Sequence, residues 1–220
     1  MMRAWGQRPD TVVCDEPLYA HYLQVTGLAH PGRDEVLAAH ETDWRAVAAW
    51  LTGSLPDGKT VFYQKHMAHH LLDHIDRGWL ERLTHVLLIR EPREMLTSLI
   101  KLTPEPTLAD TGLPQQVELL ERLDTAAVID ARDVLADPPA MLRALCDAVG
   151  LPFSEAMLSW PAGRRAADGV WARHWYGAVE ASTGFQPYRP KADPLPSALL
   201  DLLAECETLY RRLHARRLVA

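Results

Sequence analysis

Arg90 and Ser98 are the residues whose types and spacing most directly indicate a binding function. Arg90 follows the apolar run Thr84–Ile89, and Pro92 stands where the first turn of the next helix would begin. An anion placed there would meet free N–H groups at a helix N-terminus and a guanidinium able to bond two oxygens. The Ser98 hydroxyl, about two turns along that helix, would be a further donor. The alternative is that Arg90 is a strand-end ion-pair partner and Ser98 a small packing residue.

Four nearby histidines, His66, His69, His70 and His74, have the look of a metal-binding cluster. Three of them recur at four-residue spacing, which on a helix would place them on one face and could offer two ligands to a metal. No carboxylate or cysteine follows at a spacing typical of a metal site. We therefore predict that the chain holds no metal.

The elements that must position these residues alternate between strand and helix. Strand patterns cover 11–14, 60–63, 84–89 and 125–129, and helical patterns cover 18–26, 42–51, 67–75, 93–101, 113–123, 139–149 and 196–213. Thr42 is a plausible N-cap. The nearly continuous apolar run at 84–89 is typical of a parallel strand buried on both faces. This alternation predicts an α/β fold, a three-layer sandwich with a mostly parallel sheet.

A length of 220 residues suits a single domain. We expect residues 1–150 to form the α/β core and residues 151–220 a C-terminal helical or lid segment. Ligands of such sheets bind beyond the carboxyl ends of the strands. Polar residues stand at all four predicted ends, namely Asp15–Glu16, Gln64–His66, Arg90–Glu91 and Asp130–Arg132.

The run from Val86 to Ser98, Val-Leu-Leu-Ile-Arg-Glu-Pro-Arg-Glu-Met-Leu-Thr-Ser, resembles the strand–turn–helix of sulfotransferases that use 3′-phosphoadenosine-5′-phosphosulfate (PAPS). In that family a strand-end Arg and the Ser eight residues later hold the 3′-phosphate. The resemblance implies this role for Arg90 and Ser98, and it implies a P-loop NTPase-like topology. A looser resemblance covers three further segments, Asp15–Tyr22, Phe62–His66 and Trp171–Tyr176.

The resemblance also implies roles in transferring a sulfuryl group from PAPS to an acceptor hydroxyl. Such a reaction needs a base for the hydroxyl and cations around the transferred group. Glu16 or His66 would be the base, and Lys65 would neutralise the sulfonate or the bridging oxygen. The alternatives are a helix-capping Glu16, a loop His66 and a solvated Lys65.

Two more arginines enter through a weaker resemblance. Sulfotransferases often carry a late Arg-Lys-Gly loop over the 3′-phosphate, and Gly163–Trp171 resembles it in a different residue order. Arg164 and Arg165 thereby become candidate cofactor-binding residues, and a surface loop is the alternative. Packing in the core or in a lid is expected for three aromatic residues, Trp171, Trp175 and Tyr176.

The family's loop around the 5′-phosphosulfate has no counterpart in this sequence, and Met1–Gly6 resembles the helix that normally follows it. We therefore expect the first strand and this loop to be missing, with exposed strand edges and weak binding of the 5′ end. A non-catalytic or truncated sulfotransferase-fold binding protein is the alternative function. A P-loop nucleoside triphosphatase is disfavoured because no Gly-x-x-x-x-Gly-Lys-Ser/Thr occurs.

Composition narrows the class of partner and compartment. The net charge of −6 disfavours a nucleic-acid surface, which needs clustered Lys and Arg. No run of about 18 apolar residues occurs, so no membrane partner is expected. The polar N-terminus is unlike a signal peptide, and the three widely spaced cysteines suit a reducing compartment. We expect a cytoplasmic protein whose partner is a small-molecule hydroxyl acceptor, with a homodimer left open.

Overall fold

The computed structural model of the chain describes residues 1–123, 125–190 and 193–220. Two compact units are present, and each is built from two separate stretches of the chain. The first unit contains Met1–Leu83 and Ser154–Phe185, and the second contains Thr84–Phe153 and Gln186–Ala220. The predicted C-terminal segment 151–220 therefore contributes to both units. The single-domain organisation of residues 1–220 stays a prediction.

Two parallel strands form the sheet of the first unit, β1 (Thr11–Asp15) and β2 (Val61–Lys65). Their β-branched and aromatic residues favour extended backbone, and both strands confirm the sequence prediction. The register places Asp15 opposite Lys65. Because the carboxyl ends of parallel strands meet at one edge of a sheet, these two charged residues lie side by side.

The helices of the first unit, numbered along the whole chain, are α1 (Met2–Trp5), α2 (Tyr19–Thr26), α3 (Arg33–Ala39), α4 (Trp44–Leu51), α9 (Ala172–Trp175) and α10 (Gly177–Ala181). The sequence patterns indicated α2 and α4 but did not indicate α3. The predicted N-cap of α4 at Thr42 is wrong by one residue. Asp43 is the cap, because its carboxylate accepts a hydrogen bond from the backbone N–H of Arg45 at 3.0 Å.

The core of the first unit is rich in aromatic side chains. Tyr19, Leu23 and Val36 are buried together with Trp171. The Trp171 indole meets the Tyr19 ring edge-on, with 5.1 Å between the ring centroids. The packing role predicted for Trp171 is therefore confirmed.

The helix predicted at 67–75 is wrong, because only a 3₁₀ turn at Ala68–His70 forms there. The buried guanidinium of Arg77 donates to the backbone carbonyls of Leu72 at 2.7 Å and Ile75 at 2.5 Å. An arginine side chain thus satisfies carbonyl groups of a segment that is not helical. Because no helix forms here, the histidines at four-residue spacing do not share a helical face.

The second unit also has two parallel strands, β3 (Val86–Ile89) and β4 (Ala127–Asp130), paired from end to end. Its helices are α5 (Pro92–Leu99), α6 (Leu113–Arg122), α7 (Ala131–Ala136), α8 (Pro138–Ala148) and α11 (Leu200–His214). The prediction that β3 is buried on both faces is wrong. Leu87 and Ile89 are buried, whereas Val86 and Leu88 are exposed.

Residues from both strands and from α5, α6 and α11 form the core of the second unit. Its buried members include Ile89, Leu96, Val117, Val128 and Leu213. Parallel strands alternating with helices confirm the predicted α/β class. No helix in the described part of the chain combines the length and the apolar composition that a membrane span requires.

Candidate functional site

Four side chains of the first unit meet at the carboxyl ends of β1 and β2, and we call them the strand-end cluster: Asp15, Glu16, Lys65 and Tyr176. The Lys65 ammonium donates to a Glu16 carboxylate oxygen and, at 2.9 Å, to the Tyr176 hydroxyl. It also lies 3.3 Å from Oδ1 of Asp15. Two carboxylates and one phenol therefore surround one ammonium group.

Asp15 anchors the strand-end cluster from inside the unit, since its side chain is fully buried. The Tyr176 hydroxyl donates to its two oxygens at 2.7 and 2.9 Å. Tyr176 follows directly after α9, so a distant part of the sequence completes the cluster. The sequence analysis expected packing for Tyr176 and did not foresee that its hydroxyl joins a carboxylate to an ammonium.

Glu16 has an uncommon backbone conformation. Its φ is 40°, a positive value that no other non-glycine residue has in the described part of the chain. The Glu16 N–H donates to the carbonyl of Lys65 at 2.7 Å, which holds this conformation in place. Positive φ at a non-glycine residue is strained, and such strain concentrates at functional sites. In this conformation the carboxylate contacts the Lys65 ammonium.

Burial and the charges within the cluster together determine the pKa values of its side chains. Burial raises the pKa of Glu16, while the neighbouring Lys65 ammonium partly opposes that rise. Burial alone would lower the pKa of Lys65, but the Glu16 and Asp15 carboxylates hold it above its ordinary value. Burial likewise raises the pKa of Tyr176. At neutral pH the lysine is therefore a cation and the tyrosine an uncharged donor.

His66 immediately follows β2 but makes its described contacts elsewhere. Its Nε2 lies 3.3 Å from Oε1 of Gln64, and its exposed ring approaches Trp79 with 6.2 Å between ring centroids. Of the three catalytic candidates, Glu16 and Lys65 are in direct contact, whereas no contact described for His66 reaches either of them. A role for His66 stays a prediction.

The second unit brings Arg90 and Ser98, the two predicted phosphate-binding residues, into contact, and their role stays a prediction. The Arg90 guanidinium donates to Oγ of Ser98 at 3.4 Å, and the Ser98 hydroxyl donates to the carbonyl of Glu94 at 3.0 Å. The guanidinium also lies 3.6 Å from the Glu94 carboxylate, while 38% of the Arg90 side chain remains exposed. Arg90 is thus an ion-pair partner, as the alternative interpretation holds, and still presents donors to solvent.

The expectation of free N–H groups at the start of α5 is wrong. Glu91 caps this helix with both carboxylate oxygens, which accept from the backbone N–H of Arg93 at 3.1 Å and of Glu94 at 2.8 Å. An anion at this site would therefore depend on the side chains of Arg90 and Ser98. The sequence analysis did not recognise Glu91 as a cap, although an acidic residue directly before Pro92 is a usual signal.

A tyrosine that the sequence analysis did not single out completes the surroundings of Arg90. The Tyr188 hydroxyl donates to Oε1 of Glu94 at 2.5 Å, and the Arg132 guanidinium lies 5.4 Å from the centre of the Tyr188 ring. The hydrogen bond to the Glu94 carboxylate raises the pKa of Tyr188. Tyr188 and Arg90 therefore contact different oxygens of the same carboxylate.

Arg164 and Arg165 belong to the first unit, whereas Arg90 and Ser98 belong to the second. The exposed Arg164 lies 3.5 Å from the Glu180 carboxylate. The Arg165 guanidinium donates to the carbonyl of Pro161. The roles of Arg164 and Arg165 in binding a phosphate stay predictions.

Within residues 1–123, 125–190 and 193–220, no three His, Cys, Asp or Glu side chains are arranged to hold a metal ion. Two of the histidines considered as ligands have other surroundings. His70 is buried between the rings of Tyr19 and Tyr22. His74 shares a hydrogen bond with His21, with 2.9 Å between their Nε2 atoms.

A family model described as "Sulfotransferase domain" matches residues 1–217. Two curated proteins of Arabidopsis thaliana, branched-chain-amino-acid aminotransferase-like proteins 1 and 2, are 38% and 35% identical over 98% and 96% of this chain. The chain spans only 39% and 38% of their lengths. The structure of the sulfotransferase domain of the Synechococcus PCC 7002 olefin synthase has a TM-score of 0.52 and 15% identity, over 93% of this chain and 95% of that domain. This likeness shows a common fold.

Proposed function

The chain belongs to the sulfotransferase domain family, and we propose that it transfers a sulfuryl group from PAPS to the hydroxyl of a small-molecule acceptor. The observation that carries this proposal is the contact between Glu16 and Lys65 at the carboxyl ends of two parallel strands. A carboxylate and a cation in contact at this edge are the two groups that transfer to a hydroxyl requires.

The side chains around Arg90 fit the 3′-phosphate of PAPS. The partly exposed guanidinium presents several donors, and Oγ of Ser98 lies within 3.4 Å of it. A guanidinium can bond two phosphate oxygens at once, and each such bond contributes roughly 1.5–3 kcal/mol. A bound phosphate would compete with Glu94 for Arg90, so part of this contribution offsets the loss of the ion pair.

In the proposed reaction, PAPS supplies the sulfuryl group and the residues of the first unit manage charge and protons. Glu16 accepts the proton that the acceptor hydroxyl loses as its oxygen bonds to sulfur. The bond between sulfur and the bridging phosphate oxygen of PAPS breaks in the same step, and adenosine 3′,5′-bisphosphate leaves with that oxygen. Burial raises the pKa of Glu16, which makes its carboxylate a stronger base than an ordinary glutamate. Lys65 offsets the negative charge of the sulfonate, and Tyr176 with Asp15 keeps the ammonium in place.

Binding of the nucleotide is tested by calorimetric titration with adenosine 3′,5′-bisphosphate. We expect the full chain to bind it and Arg90→Ala to weaken binding at least tenfold, since more than one charge-assisted hydrogen bond is lost. Arg93→Ala is the matched control, because it removes a neighbouring positive charge and leaves Arg90 and Ser98 unchanged. Equal affinity of Arg90→Ala and the parent chain would refute the phosphate role of Arg90.

Transfer itself is tested with sulfur-35-labelled PAPS and a panel of hydroxyl acceptors. Glu16→Gln should abolish transfer while binding of adenosine 3′,5′-bisphosphate persists. His66→Asn should leave most of the activity if Glu16 is the base. The reverse outcome would assign the base to His66, the other candidate that the resemblance implies.

A non-catalytic binding protein is the second candidate function. One observation favours it, because Glu16 and Lys65 neutralise each other in a largely buried ion pair. A pair locked in this way would hold the strands together without turning over a substrate. Nucleotide binding with no transfer to any acceptor in the panel would favour this function.

The partner and compartment are part of the same proposal. We expect a small-molecule acceptor in the cytoplasm, where the three buried cysteines, none of which forms a disulfide, would stay reduced. Light scattering on the purified chain distinguishes a monomer from the homodimer that the sequence analysis left open. Imaging a fluorescently tagged full-length protein tests the compartment.

A further inference from the structure

His70 is a buried imidazole that the proposed reaction does not use. Only 3% of its surface is exposed. Its ring is stacked on Tyr19 and Tyr22, with centroid distances of 4.9 and 4.6 Å and interplanar angles of 11° and 30°. Two aromatic faces therefore fix the plane of the imidazole.

Nδ1 of His70 has no hydrogen-bond partner among the described residues. Buried polar atoms nearly always have a partner, so an exception requires an explanation. A carboxylate oxygen is close by, because Nδ1 lies 4.0 Å from Oε2 of Glu16. That separation is about 1 Å longer than a hydrogen bond. Closing it requires the Glu16 carboxyl group to rotate toward the imidazole.

The two oxygens of Glu16 therefore face different groups. Oε1 accepts from the Lys65 ammonium, and Oε2 faces the His70 imidazole. We propose that His70 is a positioning residue for Glu16, whose Nδ1–H donates to Oε2 of the ionised carboxylate. The inference rests on the proposed function, in which Glu16 is the base, and it names the residue that holds this base in its reactive orientation.

The charges around the imidazole agree with a neutral donor. Burial holds the pKa of His70 well below its ordinary value, and nearby cationic and imidazole groups lower it further. A neutral imidazole carries one N–H, which a carboxylate at Nδ1 would favour at that nitrogen. The titratable and charged groups that face Glu16 or His70 are Asp15, Tyr19, Tyr22, His30, Lys65, His66, His69 and Tyr176.

Loss of this donor should change the titration of Glu16 in one direction. A hydrogen bond to the ionised carboxylate lowers its pKa, so His70→Phe should raise the pKa of Glu16 by about one unit. Phenylalanine keeps the stacking on both tyrosines. His70→Asn should return the pKa toward the parent value, because its amide N–H stands near the position of Nδ1. The acid limb of the transfer rate against pH should shift upward by the same amount in His70→Phe.

The test is ¹³C NMR titration of the Glu16 carboxyl carbon in the full chain and in both variants, with His74→Phe as the control. An unchanged Glu16 pKa in His70→Phe would overturn the inference. Long-range ¹⁵N correlation on the parent chain reads the His70 tautomer directly, and a bare Nδ1 would overturn it even if the variants failed to fold. Neither measurement needs an acceptor. Transfer that persists in Glu16→Gln would therefore refute the proposed base while leaving the His70–Glu16 contact to be decided separately.

Discussion

The Tyr176 hydroxyl donates a hydrogen bond to Oδ2 of Asp15 at 2.7 Å, although 161 residues separate the two in sequence. The same hydroxyl accepts from the Lys65 ammonium at 2.9 Å. One phenol thus links a fully buried carboxylate to the cation that we propose offsets the sulfonate charge. This single oxygen atom therefore contributes both to the stability of the first unit and to the position of Lys65.

Tyr176→Phe should therefore destabilise the chain by about 1–3 kcal/mol, since the buried Asp15 loses a donor that water cannot replace. Urea denaturation followed by circular dichroism measures the change. Tyr63→Phe is a suitable control, because Tyr63 stacks on Trp5 through its ring, with 5.4 Å between centroids. Equal stabilities for Tyr176→Phe and the parent chain would contradict the linking role of the hydroxyl.

A second buried ion pair joins Arg3 to Asp168, whose side chains are 5% and 0% exposed. Asp168→Asn should cost about 3–5 kcal/mol at neutral pH, because it leaves the buried guanidinium without its counter-charge. Asp34→Asn tests the opposite situation, since Asp34 forms an exposed pair with Arg33 at 3.1 Å. We expect Asp34→Asn to change the free energy of unfolding by no more than about 0.5 kcal/mol. Thermal denaturation of both variants makes the comparison.

The ion pair between Arg3 and Asp168 also predicts that the stability of the chain depends on pH. Burial alone would raise the pKa of Asp168, but hydrogen bonds from the Arg3 side chain and the Arg165 backbone bring it below its ordinary value. A lowered folded-state pKa contributes stability above the unfolded value of about 3.9, and this is lost as pH falls through the folded value. The parent chain should thus lose stability below about pH 4 more steeply than Asp168→Asn. The prediction would be wrong if the free energy of unfolding fell equally steeply with pH in both proteins.

Replacing Glu91 should lower the stability of the chain and strengthen its binding of an anion. Glu91→Ala removes the cap of α5 and should cost about 1 kcal/mol. It also removes a negative charge next to Arg90, so the affinity for adenosine 3′,5′-bisphosphate should rise several-fold at low salt. Denaturation and calorimetry on the same preparation measure both effects. A simultaneous loss of stability and affinity would indicate that the cap is needed to place Arg90.

Gly169 lies against the core indole of Trp171. A Cβ at this position would overlap the indole ring, which is itself only 1% exposed. Gly169→Ala should therefore cost about 1–3 kcal/mol through overpacking. At Gly177, the first residue of α10, a Cβ would meet no atom within 4 Å. Gly177→Ala should leave the melting temperature unchanged or raise it slightly.

The local features of the fold were the predictable ones. β1 to β4 follow from short apolar or β-branched runs, and the Arg90–Ser98 contact follows from a spacing of eight residues across one turn and one helix. The caps at Asp43 and Glu91 could have been predicted from the sequence, because each carboxylate accepts from a backbone N–H only two or three residues later. The one predicted element that was wrong in kind is the helix at 67–75, a segment whose carbonyls accept from the Arg77 guanidinium.

The contacts that complete the candidate site were not predictable. Tyr176 reaches Asp15 and Tyr188 reaches Glu94 across 161 and 94 residues. No periodicity or capping rule connects residues so far apart, because their meeting depends on how later segments fold back on the strands. His70 illustrates the same limit, because its four-residue spacing from His66 and His74 gives no sign of the aromatic neighbours between which it is buried.

The distance along the chain between Lys65 and Tyr176 has a consequence for biosynthesis. These residues are 111 positions apart, so at 5–20 residues per second translation reaches the tyrosine roughly 6–22 seconds after the lysine. Until then the nascent polypeptide carries Asp15, Glu16 and Lys65 without the phenol that joins them. The first unit is thus completed only after residues Thr84–Phe153 of the second unit have been synthesised.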